Sequence, residues 1–289
     1  MTGTTTQPAE FNRVVCFVDG SPDGLEALRQ AATLRAPDGE LVGVVPLDLG
    51  LAAEAGFEAT HAAAQLEEEA EQARDDAAAA LEGIPSAEVE IVSGRPGAVL
   101  RAVAEHRRAD LLAIGRHGSS RRRGLIVGSL VTEMIHEAPC PVLVTRAPAA
   151  GGPWVPRTLT VGIDGSAGSL EALGVARALG ERLGARVRLL AASGGKRIDA
   201  DELGTLGDVE LDERRPVDAL VAASESSDLV VVGCRGLHGL ASLGSVSERV
   251  AHRAVSPVLV VRRGAGNEQE LRARVADGPD PESRSHAGE

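Results

Sequence analysis

The stretch VVCFVDGSPDGLEAL at Val14 to Leu28 returns 145 residues later as LTVGIDGSAGSLEAL at Leu159 to Leu173. Two further blocks repeat in the same order: ADLLAIGRHG, from Ala109, with SDLVVVGCRG, from Ser227, and CPVLVTR, from Cys140, with SPVLVVRR, from Ser256. Three ordered blocks mean that one supersecondary unit is built twice, so a fold for this chain must also be a fold for half of it. The copies differ in length, because Gly115 pairs with Gly233 at an offset of only 118 residues, so a helix and its loops are missing from the second copy. This divides the chain into a disordered N-terminus (1–10), a first domain (11–147), a linker (148–157), a shortened second domain (158–263) and a disordered tail (264–289). The linker assignment rests on the Ala, Gly and Pro content of APAAGGPWVPR, and the tail assignment on polar, acidic composition.

Within each copy, short Val-, Leu- and Ile-rich runs alternate with helix-patterned segments, the signature of parallel strands with covering helices. VVCFV, LVGVV, AEVEIV, DLLAIG and PVLVTR are the expected strands of the first copy, with helices beginning near Ser21, Thr60, Pro96 and Ser129. Ser21 stands as N-cap before Pro22, and Leu66, Ala70, Ala73, Ala77 and Leu81 form one apolar stripe beside the acidic run LEEEAEQARDD. The second copy offers TLTVGI, RVRLLAA, DVELD, DLVVVG and PVLVVR as strands, with little room for a helix between Ser193 and Asp208. The fold class is α/β: two tandem flavodoxin-like domains, each an open five-stranded, mainly parallel sheet with helices on both faces.

Composition excludes several function classes. A net charge of -12 argues against a broad nucleic-acid or anionic-membrane surface. Three cysteines without a C-x-x-C pair, and seven histidines scattered without metal spacing, offer neither a zinc site nor a disulfide framework. The N-terminus has no signal-peptide pattern and no apolar run is long enough to span a bilayer, so a soluble, cytoplasmic protein is expected.

Against that acidity, GRHGSSRRRGLIVGS at Gly115 to Ser129 gathers four glycines and four arginines. It follows an expected strand and ends where a helix begins. Open parallel sheets bind ligands beyond the carboxyl ends of their strands, where strand order reverses. Glycines let a ligand approach the backbone closely, and a helix N-terminus offers unpaired N–H groups with the positive end of its dipole. A second turn of this kind is DGS at Asp19 to Ser21. No Walker loop is present, since that requires a lysine and the only lysine is Lys196. DGSPDG fails as an EF-hand because Gln30 stands where the bidentate glutamate belongs. No G-x-S-x-G elbow occurs.

Gly115, Gly118, Gly128 and Ser129 fit the pattern G-x2-G-x9-G-[ST]. Together with the DGS turn, the turns at Gly94 to Pro96 and Arg214 to Pro216, and the final PVLV strands, they make residues 11 to 263 resemble a tandem universal stress protein. The resemblance implies an adenine nucleotide α-hydrolase-like fold and an ATP-binding regulatory protein, with ATP, accompanied by Mg2+, as the ligand. It places Asp19 and the aliphatic Val44 beside the adenosine, with Asp19 also next to the cation. Gly115, Gly118, Gly128 and Ser129 would wrap ribose and phosphates, with Arg116 and His117 adding contacts. In the second copy Asp164, Gly233, Gly236, Gly244 and Ser245 hold the matching positions, but the spacing is G-x2-G-x7-G-S, two residues short, and a shallower pocket is expected. The family also implies that the last strands of the two copies pair in an intramolecular pseudo-dimer, with a homodimer or a protein partner beyond that. Two other classes stay open: a nucleotide-free interaction module, and an enzyme acting at the α-phosphate of an adenine nucleotide.

Overall fold

The computed structural model describes residues 10–53, 59–116, 129–147, 152–194, 203, 205–234 and 245–262. The first repeat contributes β1 (Phe11–Phe17), α1 (Pro22–Leu34), β2 (Arg35–Leu47), a short α2 (Gly50–Ala53), α3 (Ala59–Ala80), β3 (Ala87–Ser93), α4 (Pro96–His106), β4 (Leu111–Gly115), α5 (Ser129–Glu137) and β5 (Val142–Thr145). The second contributes β6 (Thr158–Gly162), α6 (Ala167–Leu183), β7 (Arg186–Ala192), β8 (Val209–Asp212), α7 (Pro216–Ala223), β9 (Leu229–Cys234), α8 (Val246–Arg253) and β10 (Val258–Arg262). Every expected strand is present, and α1, α4 and α7 start at their prolines, where a missing N–H costs nothing. The α2 turn was not expected from the sequence.

The ten strands form one sheet in the order β3-β2-β1-β4-β5-β10-β9-β6-β7-β8. Two open five-stranded sheets are thus fused through their last strands: β5 and β10 run antiparallel, with Val144 opposite Val258, Leu143 opposite Leu259 and Val142 opposite Val260. All other neighbours are parallel. All six seam residues are completely buried. Leu143 and Leu259 face the core under α1, α3 and α6, while the four valines face the one under α4, α5, α7 and α8, so each core is continuous across the seam. The apolar stripe of α3 packs as its spacing requires, with Ala70, Ala73 and Ala77 buried. Opposite β7 and β8, Leu203 and Leu206 are buried in the same core; residues 195–202 and 204 lie outside the described residues.

The arginine that ends each final strand crosses the seam. Arg146 donates from Nε to the carbonyl of Ala254 at 3.2 Å and from Nη2 to the carbonyl of Ala251, at the C-terminal end of α8. Arg262, its equivalent, donates from Nη1 to the carbonyl of His136, in the last turn of α5, at 2.9 Å. Each repeat therefore caps a helix of the other, satisfying carbonyls that end a helix without an intrahelical partner. A third tie comes from Arg182 of α6, which donates to the carbonyls of Leu34 and Arg35 at 2.7 and 3.2 Å where α1 ends. Burial, reinforced by Arg116 and opposed by Asp23, lowers Arg146 to about 9, so it remains charged at neutral pH.

Before β4 and β9 the repeated aspartates have a matching structural task. Asp110 accepts the backbone N–H groups of Asn12 and Arg13 at 3.0 and 2.9 Å, and Asp228 those of Arg157 and Thr158 at 2.8 and 2.9 Å. Each carboxylate ties the start of a central strand to its neighbour.

Removing the Arg146 fork leaves buried carbonyls without donors. Arg146→Leu is expected to lower unfolding free energy by about 2–4 kcal/mol, read as a shifted urea midpoint with an unchanged slope.

Candidate functional site

In the first repeat, strand order reverses between β1 and β4, and in the second between β6 and β9. The two turns singled out by sequence leave the carboxyl ends of these strands. In the first, Asp19 Oδ1 accepts the Ser21 N–H at 3.1 Å and the Ser21 hydroxyl at 2.5 Å, while Ser21 Oγ accepts the Gly24 N–H at 3.1 Å and caps α1. Gly20 between them has φ +71°, a left-handed value that glycine adopts without strain. The second repeat rebuilds the same network: Asp164 Oδ1 accepts the N–H and hydroxyl of Ser166 at 3.1 and 2.5 Å, and Ser166 Oγ accepts the Ser169 N–H at 3.3 Å. The DGS signature is thus first a turn-and-cap device, and it leaves Asp19 half-buried and Asp164 exposed.

Gly115 ends β4 against the first turn of α1. A Cβ there would lie 2.9 Å from the carbonyl carbon and oxygen of Asp23, and one on the equivalent Gly233 would lie 2.3 Å from those of Gly168 in α6. The absent side chain lets each helix start press on the neighbouring strand end, joining the two turns of each repeat. Arg116 follows, half-buried. Val44 is completely buried in the core with Val15, Phe17 and Ile114, and its carbonyl accepts the Val18 N–H at 2.9 Å.

Ser129 opens α5 and is exposed; no acidic residue lies in that helix's first turn. Its counterpart Ser245 caps α8 by accepting the Glu248 N–H at 3.2 Å, and Glu248 itself lies in the first turn. His117, Gly118 and Gly128 of the first copy, and Gly236 and Gly244 of the second, lie outside the described residues. Among the described residues no three His, Cys, Asp or Glu side chains gather as a metal cluster. All three cysteines are buried, and burial raises Cys140 to about 12 and Cys16 further, which suits packing rather than nucleophilic chemistry. A depression of about 170 Å³ lined by Leu51, Ala52, Ala62, Gln65, Leu66 and Glu69 opens between α2 and α3; none of the turn residues lines it.

A sequence model of the universal stress protein family matches residues 10–146 and 199–262. The chain belongs to the universal stress protein family. A universal stress protein of Mycobacterium tuberculosis is 31% identical over 211 residues, 62% of this chain and 70% of the relative. One of Methanocaldococcus jannaschii is 29% identical over 145 residues, 48% of this chain and 84% of the relative. Among solved structures, a universal stress protein from Archaeoglobus fulgidus superposes with a TM-score of 0.72 at 21% identity, covering 89% of this chain and 98% of that one. That likeness concerns the fold. Residues 147–198 fall outside the family match, yet β6, α6 and β7 repeat the arrangement of β1, α1 and β2.

In this universal stress fold the seam holds a polar cluster that sequence spacing did not reveal. Thr132 Oγ1 lies 2.9 Å from His252 Nε2 and donates to Glu248 Oε1 at 3.4 Å, while Glu248 Oε2 lies 3.3 Å from His136 Nε2. Thr132 and Glu248 are equivalent positions of α5 and α8, and so are His136 and His252. The histidine of each helix therefore meets the first turn of the other. Burial, Arg146 and Arg116 lower the pKa of His252, against the opposing pull of Glu248.

Two outcomes follow from this geometry. Gly115→Ala and Gly233→Ala are expected to destabilise by about 1–3 kcal/mol, the latter more, by forcing a helix start off a strand end. Gly174→Ala, on the exposed face of α6 with nothing within 4 Å of the added atom, should stabilise by about 0.5–1 kcal/mol; thermal melts compare the three. For pH, the folded pKa of His252 lies below its ordinary 6.5, so the unfolded chain binds that proton more readily. Stability from neutral His252 is complete above the unfolded value and is lost as pH falls through it toward the folded one. In ligand-free protein, His252→Gln should flatten that acid-side loss in a series of denaturant titrations.

Proposed function

We propose that this universal stress protein is an adenine-nucleotide-binding regulatory protein whose functional site lies in the first repeat. The observation that carries the reading is the convergence of the Asp19–Ser21 turn and the Gly115–Arg116 turn where the strand order of the first repeat reverses, beyond the carboxyl ends of β1 and β4. The α5 N-terminus, free of acidic residues in its first turn, and the half-buried Arg116 suit a polyphosphate. ATP would be held by Gly115, Arg116, His117, Gly118, Gly128 and Ser129, with Asp19 toward the nucleoside; Val44, expected there from the sequence, is completely buried with its carbonyl taken by the Val18 N–H, and would support the site only from within the core. With no metal cluster among the described residues, Mg2+ would be held chiefly by the phosphates, with Asp19 as the protein ligand.

In the second repeat Asp164, Gly233, Gly236, Gly244 and Ser245 hold the matching positions, but two features weaken an anion site there. The glycine loop is two residues shorter, and the start of α8 is capped by Ser245 and carries the Glu248 carboxylate. In this reading residues 11–147 form the nucleotide-binding domain and 158–263 its permanent structural partner, in a cytoplasmic protein that acts through partner contacts and not through catalysis.

Mg-ATP calorimetry on the full chain tests this, with about one site expected. Two sites would assign a working pocket to the second repeat, and none at high ATP would favour the nucleotide-free interaction module. Gly128→Val should abolish binding with the melting temperature little changed, whereas Gly244→Val should leave affinity within about twofold. Equal effects would overturn the asymmetry.

A further inference from the structure

Three cationic or protonatable groups stand within electrostatic reach of one another at this end of the seam: Arg116 after β4, Arg146 after β5, and His252 from α8 of the other repeat. Two of them flank the proposed phosphate site, since Arg116 follows Gly115 directly and His252 contacts Thr132 in the first turn of α5. The groups facing His252 can be named element by element. Its own helix supplies Glu248, which is shared with His136 of α5. Arg146 and Arg116 lie beyond β5 and β4. On α7, Asp218 is paired with Arg253 at 3.0 Å, and Arg262 of β10 is committed to the carbonyl of His136. Asp23 of α1 is the carboxylate that counters the Arg116–Arg146 pair.

We propose that nucleotide binding by the first repeat is coupled to proton uptake at His252, so that the second repeat, through α8, makes the first repeat's site responsive to pH. This rests on the reading that the first repeat binds an adenine nucleotide. A polyphosphate beside Arg116 adds negative charge to the field at His252, where Arg116 and Arg146 act against Glu248. The repulsion that adds to burial in disfavouring the imidazolium is then offset, and His252 takes up a proton from solvent. Reciprocity requires that protonated His252 strengthens nucleotide binding by the same factor. The arrangement is not mirrored on the other side of the seam. There His136 faces a carboxylate, Glu248, where His252 faces the hydroxyl of Thr132.

The test titrates the full chain with Mg-ATP by calorimetry between about pH 8 and about pH 6, spanning the ordinary histidine range, for the natural protein and for His252→Gln, which retains a hydrogen-bonding group for Thr132. The γ-phosphate's own titration is common to both and cancels in their ratio. The natural protein is expected to gain about fivefold in affinity over the variant on acidification, the effect of charges interacting across a partly solvated site. Equal pH slopes would overturn the coupling while leaving nucleotide binding intact. Failure of the natural protein to bind Mg-ATP at any pH would overturn the nucleotide reading itself, and the coupling with it. Should His252→Gln not fold, an NMR titration of His252 in the natural protein decides. Its pKa must rise when Mg-ATP saturates the site, and an unmoved pKa would sink the proposal.

Discussion

The antiparallel pairing of β5 with β10 is the contact on which the remaining architecture depends. A five-stranded sheet of either repeat alone would end in a strand whose backbone N–H and C=O groups face solvent and whose flanking helices overhang an uncovered apolar face. Joining the two last strands pairs those groups and buries Leu143, Leu259 and the four seam valines completely. It also turns two half-covered cores into two continuous ones that cross from repeat to repeat. Burial of those six side chains relative to exposure is worth about 1.5–3 kcal/mol each as an upper estimate, before ordering costs are counted. Arg146 and Arg262 depend on this pairing, because only an antiparallel seam brings the end of each final strand to the C-terminal end of the other repeat's last helix.

The same seam separates the two repeats chemically. Equivalent positions are occupied by Thr132 and Glu248, and that one difference places a carboxylate in the first turn of α8 while leaving the start of α5 without one. A carboxylate at a helix N-terminus stabilises the helix and competes with any external anion. The stability of α8 and the openness of α5 are therefore two answers to one electrostatic question.

Much of the fold was legible because local signals and global pattern agree. The central strands β4, β5, β9 and β10 are near-continuous apolar runs, as a sheet covered on both faces requires, and Ser21 caps α1 ahead of Pro22 as its sequence indicates. The candidate turns were legible as glycine-rich strand ends, but a sequence does not say why a glycine is there. Gly115 and Gly233 prove to be sites of backbone contact with a helix start. The seam cluster was hidden for a different reason. His136 and His252 carry no spacing signal, since their relation is created by a strand pairing between residues more than a hundred positions apart. The terminal arginines likewise read as the tail of PVLV strands, and only the register of β5 on β10 shows where they reach.

Linking the two repeats in one chain also changes what substitution can do at their interface. In a homodimer with two-fold symmetry every side chain beside the axis appears twice, so a residue chosen to suit one pocket is imposed on the other. Here the contacts of α5 with α8 are encoded by separate codons, and the threonine–histidine pair on one side coexists with a glutamate–histidine pair on the other. A change that improves one half need not be tolerated by its twin. Dilution, which dissociates a two-chain dimer, leaves this pairing intact because the partner's effective concentration is fixed by the linker.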